Sequence, residues 1–111
     1  MEHEAEMRRN KYGAIKVRTD GYLFDSKAEA RRYADLKLMQ GSGLISGLAC
    51  HPKYPIVYQG AKICVVELDF EYTDSSGEPV FEDVKGVYTA MSRLKHKLVK
   101  AFYGIDVRIV R

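Results

Sequence analysis

The sequence predicts one α/β domain in which two helices accompany a sheet. Two segments repeat apolar residues with the 3.6-residue period of helices, and the segments around them alternate apolar and polar residues as strands do. The chain has 111 residues, 46% hydrophobic and 30% charged, which suffices for one compact core but not for two. We therefore expect residues 11–111 to form a single domain behind a flexible, polar N-terminal arm at residues 1–10.

The predicted elements follow the order hairpin, helix, three strands, helix and strand. The hairpin at residues 11–24 turns at Thr19-Asp20-Gly21. The first helix begins after Ser26, which forms an S-x-x-E capping box with Glu29, and it ends before Gly41. Alternation and turn residues predict strands at residues 54–58, 62–73 and 79–85, a helix at residues 89–103 and a last strand at residues 105–110.

The second predicted helix has one apolar and one basic face. The apolar period is typical of a helix packed on a core, and it comprises Met91, Leu94, Leu98, Ala101 and Phe102. A basic stripe is most often a solvated surface, but it also suits contact with phosphates. The candidate nucleic-acid-binding residues on this stripe, which also carries His96, are Arg93, Lys97 and Lys100.

One predicted hairpin carries the residues that point to chemistry. Side chains alternate along a strand, so Asp83 and Lys85 face one side of the sheet while Glu82 faces the other. A turn centred near Ser76 places Asp69 opposite Asp83. Two carboxylates and one ammonium then share one small area, which suits a divalent metal and a phosphate.

The order of elements, with Asp69 followed by Asp83-Val84-Lys85, resembles the PD-(D/E)xK nuclease superfamily. More closely, NKYGAIKV, FDSKAEARRY, HPKY, LDF, FEDVKG and the lysine-bearing helix before YGI look like a family of small, mostly phage-encoded endonucleases. The resemblance covers nearly the whole chain from Asn10, with Leu68 standing where the superfamily name has proline. It implies a restriction-endonuclease-like αβββαβ core, in which helices flank a mixed central sheet, plus the N-terminal hairpin.

The resemblance implies roles for four residues. Asp69 corresponds to the first metal ligand, Asp83 to the second carboxylate and Lys85 to the motif lysine, while Glu29 matches an acidic ligand that many members carry in the first helix. Carboxylate oxygens suit Mg²⁺ or Mn²⁺, which would be the cofactor, with no small-molecule cofactor besides. Lys85 would hold the attacking water or a phosphate oxygen as a point charge. Because no candidate histidine lies beside the motif in the sequence, we expect metal-assisted hydrolysis rather than histidine acid–base chemistry.

Each candidate also has a structural interpretation. Asp69 would be a solvent-exposed strand residue, Asp83 and Lys85 an exposed cross-strand ion pair, and Glu29 a helix cap. We do not expect one Glu29 carboxylate to serve as cap and metal ligand at once. The residues for which a structural or solvated role is favoured over a role at the site are Glu67, Glu71, His51 and Tyr54.

The function implied is a Mg²⁺-dependent endodeoxyribonuclease that hydrolyses phosphodiester bonds in branched or single-stranded phage DNA. DNA is the expected partner, and the net charge of +3 permits this without demanding it. Cleavage of two strands of a junction would need two sites, so a homodimer is also predicted. Two cysteines and no leader or long apolar run indicate the cytoplasm of a bacterial host, for a phage or prophage protein, rather than a membrane. The alternative is a non-catalytic nucleic-acid-binding or protein-interaction module.

Overall fold

The computed structural model describes residues 6–9, as backbone only, and residues 15–111. It confirms an α/β protein with two helices and a mixed sheet. The elements are β1 (Glu6–Arg9), β2 (Ile15–Thr19), β3 (Tyr22–Phe24), α1 (Lys27–Gly41), β4 (Ser46–Cys50), β5 (Lys53–Tyr58), β6 (Ala61–Glu67), β7 (Phe70–Thr73), β8 (Pro79–Val84), α2 (Ala90–Tyr103) and β9 (Val107–Val110).

The strands form one central sheet and two smaller ones. The central sheet has the order β4-β7-β8-β9, with antiparallel pairing except between β8 and β9, which are parallel and joined by α2. This confirms the predicted crossover by the second helix. A three-stranded sheet has the order β1-β2-β3, and β5 and β6 form a separate two-stranded ribbon.

The predicted register of the β7–β8 hairpin is confirmed. Phe70 pairs with Glu82 and Thr73 with Pro79, so the residues flanking the first pair, Asp69 and Asp83, lie opposite each other. The turn is closed by Asp74, whose side chain accepts from the backbone N–H groups of Ser76 and Glu78 at 2.9 and 3.0 Å. Gly77 adopts a φ of 84°, a conformation that favours glycine.

The predicted single strand at residues 62–73 is wrong, because the chain leaves β6 at Glu67 and starts β7 at Phe70. Between them, the N–H of Leu68 donates to the carbonyl of Pro52 and the Asp69 carbonyl accepts from the N–H of His51. The break carries the chain from the ribbon into the central sheet.

Two cores explain why the strand breaks. One lies between α1 and the central sheet and comprises Phe24, Tyr33, Leu36, Ile45, Phe70, Tyr72 and Val80. The other lies under α2 and comprises Ile56, Val66, Leu68, Val99 and Ile105. Val66 and Phe70 would share a face in an unbroken strand, yet they serve different cores. Because of the break, residues of one alternating apolar pattern contribute to both cores.

The prediction that the apolar face of α2 packs on a core is largely wrong. Met91, Leu94 and Phe102 are 60%, 50% and 41% exposed, and Val99 is the buried residue of this helix. α2 packs in part on the narrow β5–β6 ribbon, which Tyr103 contacts through a hydrogen bond to the Pro55 carbonyl. The predicted homodimer stays a prediction. Neither described helix is long and apolar enough to cross a membrane.

Near the N-terminus, β1 pairs antiparallel with β2 and places Glu6 opposite Arg18. This strand lies within the segment for which the sequence predicts a flexible arm. The other residues of that arm, and residues 11–14 of the predicted hairpin, lie outside the described part of the chain. The rest of that hairpin is confirmed as β2 and β3.

A buried ion pair ties α1 to the central sheet. Glu82 is completely buried, and both of its oxygens accept from the Arg32 guanidinium, at 2.8 and 2.7 Å. The Tyr72 hydroxyl also donates to Glu82, and Arg108 lies 3.9 Å away. These partners outweigh burial and hold the pKa of Glu82 below its ordinary value. As predicted from strand alternation, Glu82 faces away from Asp83.

Replacing Arg32 with methionine tests this ion pair. Arg32→Met leaves the buried Glu82 carboxylate without its main cation, so we expect the free energy of unfolding to fall by about 3 kcal/mol in urea denaturation. Arg32→Met combined with Glu82→Gln should recover part of the loss because no buried charge remains. The matched control is Arg31→Met, at an exposed position of α1. Equal unfolding midpoints for Arg31→Met and Arg32→Met would contradict a stabilising role for the pair.

Candidate functional site

The four predicted site residues converge where the central sheet meets the start of α1. Glu29 comes from the first turn of α1, Asp69 from the break before β7, Asp83 from β8 and Lys85 from just after it. Glu29 and Asp83 are each only 4% exposed. The Asp83 carboxylate is therefore not part of the exposed ion pair that its structural interpretation assumed.

Asp69 and Asp83 each hold the backbone of the opposite strand. Oδ1 of Asp83 accepts from the Asp69 N–H at 2.8 Å, and Oδ2 of Asp69 accepts from the Val84 N–H at 2.7 Å. The Asp69 N–H is also 3.1 Å from the Glu82 carbonyl, where the ladder between the strands ends. In the described part of the chain, no donor bonds Oδ1 of Asp69.

Glu29 has two tasks, one for each carboxylate oxygen. Ser26 caps α1 by accepting from the Glu29 N–H at 3.1 Å, as predicted. One Glu29 oxygen accepts from the Asp25 N–H at 3.3 Å, while the other lies 2.8 Å from Nε2 of His51. A single carboxylate thus bonds the backbone before α1 and also His51. The expectation that Glu29 does not serve as cap and metal ligand at once stays a prediction.

His51 completes a group of three possible metal ligands. One ligand atom each from Glu29, His51 and Asp69 lies within 4.8 Å of the others. His51 adopts a φ of 56° between β4 and β5, and its ring packs 5.6 Å from that of Phe24. The sequence predicted Glu29, Asp69 and Asp83 as the ligands, and the structure instead gathers His51 with the first two.

Burial, and repulsion from a neighbouring carboxylate, raise the pKa values of both acidic residues in this cluster. Burial chiefly, and then the nearby Glu29 carboxylate, raise the pKa of Asp69 to about 7, although the Val84 N–H and Lys85 act to lower it. Burial also raises the pKa of Glu29, against the lowering effect of His51. Two carboxylates and an imidazole in such an environment fit a divalent cation, which would relieve the repulsion.

A second histidine lies at the site, on the other side of Asp83. Nε2 of His96 is 2.6 Å from Oδ2 of Asp83, and its Nδ1 is 2.8 Å from the Tyr88 hydroxyl. A neutral imidazole with its proton on Nε2 satisfies both contacts by donating to Asp83 and accepting from Tyr88. The expectation that no histidine accompanies the motif is therefore wrong. That expectation considered only neighbours along the sequence, whereas α2 brings His96 next to Asp83 in space.

Lys85 lies beside the same carboxylates. With Asp83 and His96 it lines a small cavity of about 140 Å³, and its ammonium is near enough to Asp69 to act on the pKa of that carboxyl. Lys85 and Asp83 share one side of the sheet, as strand alternation predicts. The cavity thus offers the Lys85 ammonium beside the buried Asp83 carboxylate.

The three predicted nucleic-acid-binding residues line a larger cavity on the outside of α2. This α2 groove has a volume of about 480 Å³ and is lined by Tyr88, Arg93, His96, Lys97, Lys100, Ala101, Ile105, Asp106 and Val107. The Arg93 guanidinium lies 5.3 Å from the centre of the Tyr88 ring, and Lys100 forms an ion pair with Asp106 at 3.0 Å. Within the described residues, Lys97 has no ion-pair partner.

The other acidic and aromatic candidates pair outside the Glu29, His51 and Asp69 group, although Glu67 also lines the small cavity with Asp83 and Lys85. Glu67 lies 3.7 Å from Lys53 in an exposed ion pair, and Glu71 accepts from the Tyr54 hydroxyl. Burial chiefly, and then that hydrogen bond, raise the pKa of Tyr54. These contacts agree with the structural roles favoured for Glu67, Glu71 and Tyr54. His51 differs, because its partner is a buried carboxylate of the site.

Comparison with known proteins places most of the chain in one family model. The model described as "Protein of unknown function (DUF1064)" matches residues 9–110, which include every residue of the candidate site. No curated protein matches the chain. No solved structure matches it either.

The raised pKa of Asp69 predicts a stability that depends on pH. Asp69 binds its proton more tightly in the folded chain than in the unfolded chain, so its contribution is full below its ordinary pKa near 3.8 and is lost as pH rises through about 7. In EDTA, we expect the free energy of unfolding to fall by about 2 kcal/mol from roughly pH 5 to 8 through this group.

Asp69→Asn should remove most of that fall, because the amide oxygen still accepts from the Val84 N–H but does not titrate. Urea denaturation at the two pH values measures the difference. Asp35→Asn, at an exposed position of α1, is the matched control and should keep the wild-type dependence. An undiminished fall in Asp69→Asn would show that other groups cause it.

Proposed function

We propose that this chain, which belongs to the DUF1064 family of proteins of unknown function, is a metal-dependent endodeoxyribonuclease. One observation carries the proposal. The Glu29, His51 and Asp69 ligand atoms lie within 4.8 Å of one another, beside a cavity in which Lys85 accompanies the buried Asp83. Phosphodiester hydrolysis needs charge neutralised and water positioned at one phosphate, and this combination provides groups for both.

The order of the elements supports a restriction-endonuclease-like core. Without the β5–β6 ribbon, the sequence of elements from α1 is helix, three antiparallel strands, helix and a strand parallel to the third. That is the αβββαβ order implied by the resemblance to the PD-(D/E)xK superfamily. In this proposal the ribbon is an insertion between the first two strands of the core. Asp69, Asp83 and Lys85 lie on or next to the second and third strands of that core, and Glu29 lies on its first helix.

Glu29, His51 and Asp69 are the residues that would hold the metal. Asp83 stays a proposed ligand because each carboxylate oxygen has acceptor capacity beyond the one bond it makes here. Carboxylates suit Mg²⁺ and Mn²⁺, and an imidazole among the ligands favours Mn²⁺ of the two. When bound, such a cation supplies Lewis-acid activation of water and of the scissile phosphate.

The chain's own side chains would position the reacting groups. Lys85 is held on the Asp83 side of the sheet, where its ammonium can bind a phosphate oxygen or orient the attacking water. The reciprocal bonds of Asp69 and Asp83 to opposite strands fix both carboxylates, so little reorganisation is needed as substrate binds. His96 fixes Asp83 from the other side.

Cleavage and metal binding can be tested with the same variants. We expect purified protein to cut DNA in Mn²⁺ or Mg²⁺ but not in EDTA, and Asp69→Asn and Asp83→Asn to lose at least 100-fold in rate, as does removal of a group that stabilises a transition state. Mn²⁺ should also raise the melting temperature of wild-type protein, because it binds the folded state, and this rise should vanish in Asp69→Asn.

Asp35→Asn is the control for both measurements and should behave as wild type. Wild-type cleavage by folded Asp69→Asn and Asp83→Asn would end the proposed mechanism. Metal-independent DNA binding that is unchanged by Asp69→Asn, without cleavage by any variant, would instead identify the non-catalytic binding module.

His96 is a positioning residue in this proposal, since it contacts Asp83. We expect His96→Ala to lower kcat by about 10- to 100-fold with little change in KM, as is typical when a partner of a metal-site residue is lost. His96→Gln should recover part of kcat, because its amide can still donate to Asp83. Steady-state kinetics measure this split. If both variants lose the same activity and the same melting temperature, His96 has only a structural role.

A further inference from the structure

The α2 groove opens directly beside the proposed cleavage site. His96 lines both the groove and the small cavity that contains Asp83 and Lys85, so the two spaces share a wall. Tyr88 continues this wall through its hydrogen bond to His96. A strand whose phosphate lies at Lys85 would therefore have its neighbouring nucleotide at the groove.

The groove has an apolar floor. Ile105 is buried, Val107 is half-buried, and Ala101 is exposed on the face of α2 that borders the cavity. In a duplex, the faces of the bases are covered by stacking and are not available to an apolar surface. In an unpaired strand, the faces are free and gain from contact with such a floor or with a planar guanidinium.

The rim of the groove carries the complementary charge for a phosphate backbone. Arg93 lies over the Tyr88 ring at 5.3 Å, and Lys97 has no ion-pair partner among the described residues. Lys100 is already paired with Asp106 at 3.0 Å, so Arg93 and Lys97 are the cations that remain for a ligand. Basic residues around an apolar floor form the kind of surface that binds single strands without base-specific contacts.

The size of the groove favours an unpaired strand. Its volume of about 480 Å³ lies within the range of roughly 300–1,000 Å³ that holds small molecules, and it has room for a nucleotide but not for a double helix. A duplex could touch the rim alone. It would have to expel a base from its stack to reach the floor, which is unfavourable.

We infer that the α2 groove binds an unpaired DNA strand adjacent to the cleavage site, which makes single-stranded or flap DNA the substrate class. The role of the groove as a substrate site rests on the proposed nuclease function. The binding that it predicts can be measured without metal, and therefore without cleavage.

The test compares the binding of a fluorescent single-stranded oligonucleotide and of its duplex to wild-type protein in EDTA, by fluorescence anisotropy. We expect the single strand to bind at least tenfold more tightly. Ala101→Glu introduces a carboxylate at the floor and should weaken single-strand binding at least tenfold. The matched control, Ala34→Glu, adds the same charge at an exposed position of α1 and should not.

Salt dependence gives a second readout. Lys97→Ala should lower the slope of log affinity against log salt for the single strand by about 0.7, the value for one lost phosphate contact. Lys62→Ala, at an exposed position of the β5–β6 ribbon, should leave the slope unchanged. Equal affinity for duplex and single strand, or equal effects of Ala101→Glu and Ala34→Glu, would overturn the groove assignment.

Cleavage assays separate this inference from the proposed function. If Ala101→Glu loses single-strand affinity while no DNA is cut in Mn²⁺ or Mg²⁺, the groove assignment stands and the nuclease proposal fails. If wild type and Ala101→Glu cut duplex and single strand equally well, the nuclease proposal stands and the groove assignment fails.

Discussion

The site depends on the reciprocal hydrogen bonds between the Asp69 and Asp83 carboxylates and the backbone of the opposite strands. Asp69 lies where the chain leaves the β5–β6 ribbon and enters the central sheet, so the ladder between strands ends there. Beyond the end of the ladder, the two carboxylates accept hydrogen bonds from the N–H groups of Asp69 and Val84. One arrangement closes the hairpin and also holds two acidic groups together, away from most of the solvent. The electrostatic cost appears in the raised pKa of Asp69.

The Glu82 carboxylate and the carboxylates of the candidate site have different electrostatic environments. Glu82 faces α1 and is neutralised by Arg32, so its pKa is lowered even though it is fully buried. Among the described residues no guanidinium bonds Glu29 or Asp69 in this way, and the pKa values of both are raised. A carboxylate with a permanent cation stabilises the fold. Carboxylates left with excess negative charge favour a cation that can arrive from solution, and this contrast separates the structural group from the candidate site.

The sequence predicts local relationships in this chain better than those set by packing. Strand alternation and turn chemistry were enough to predict that Asp69 lies opposite Asp83 and that Glu82 faces the other side of the sheet. The break after Glu67 was not predictable from alternation, because the apolar pattern continues through it while the chain changes partners. His51 was missed because its position depends on that change and on a positive φ. His96 was missed because its contact with Asp83 depends on how α2 packs against the sheet, which local patterns do not determine.

A continuous series of contacts joins the carboxylates to the α2 groove. Asp83 contacts the Asp69 backbone on one side and His96 on the other, His96 bonds Tyr88, and Tyr88 lies under Arg93. Each member is fixed by its neighbours, since the strands position the aspartate and α2 positions the imidazole and the guanidinium. A strand bound at Arg93 would therefore meet carboxylates whose distance from the groove is already set. Catalysis gains most from groups that need no reordering when substrate arrives. In the proposed nuclease, the His96 side chain shared by the groove and the small cavity would provide such a fixed connection.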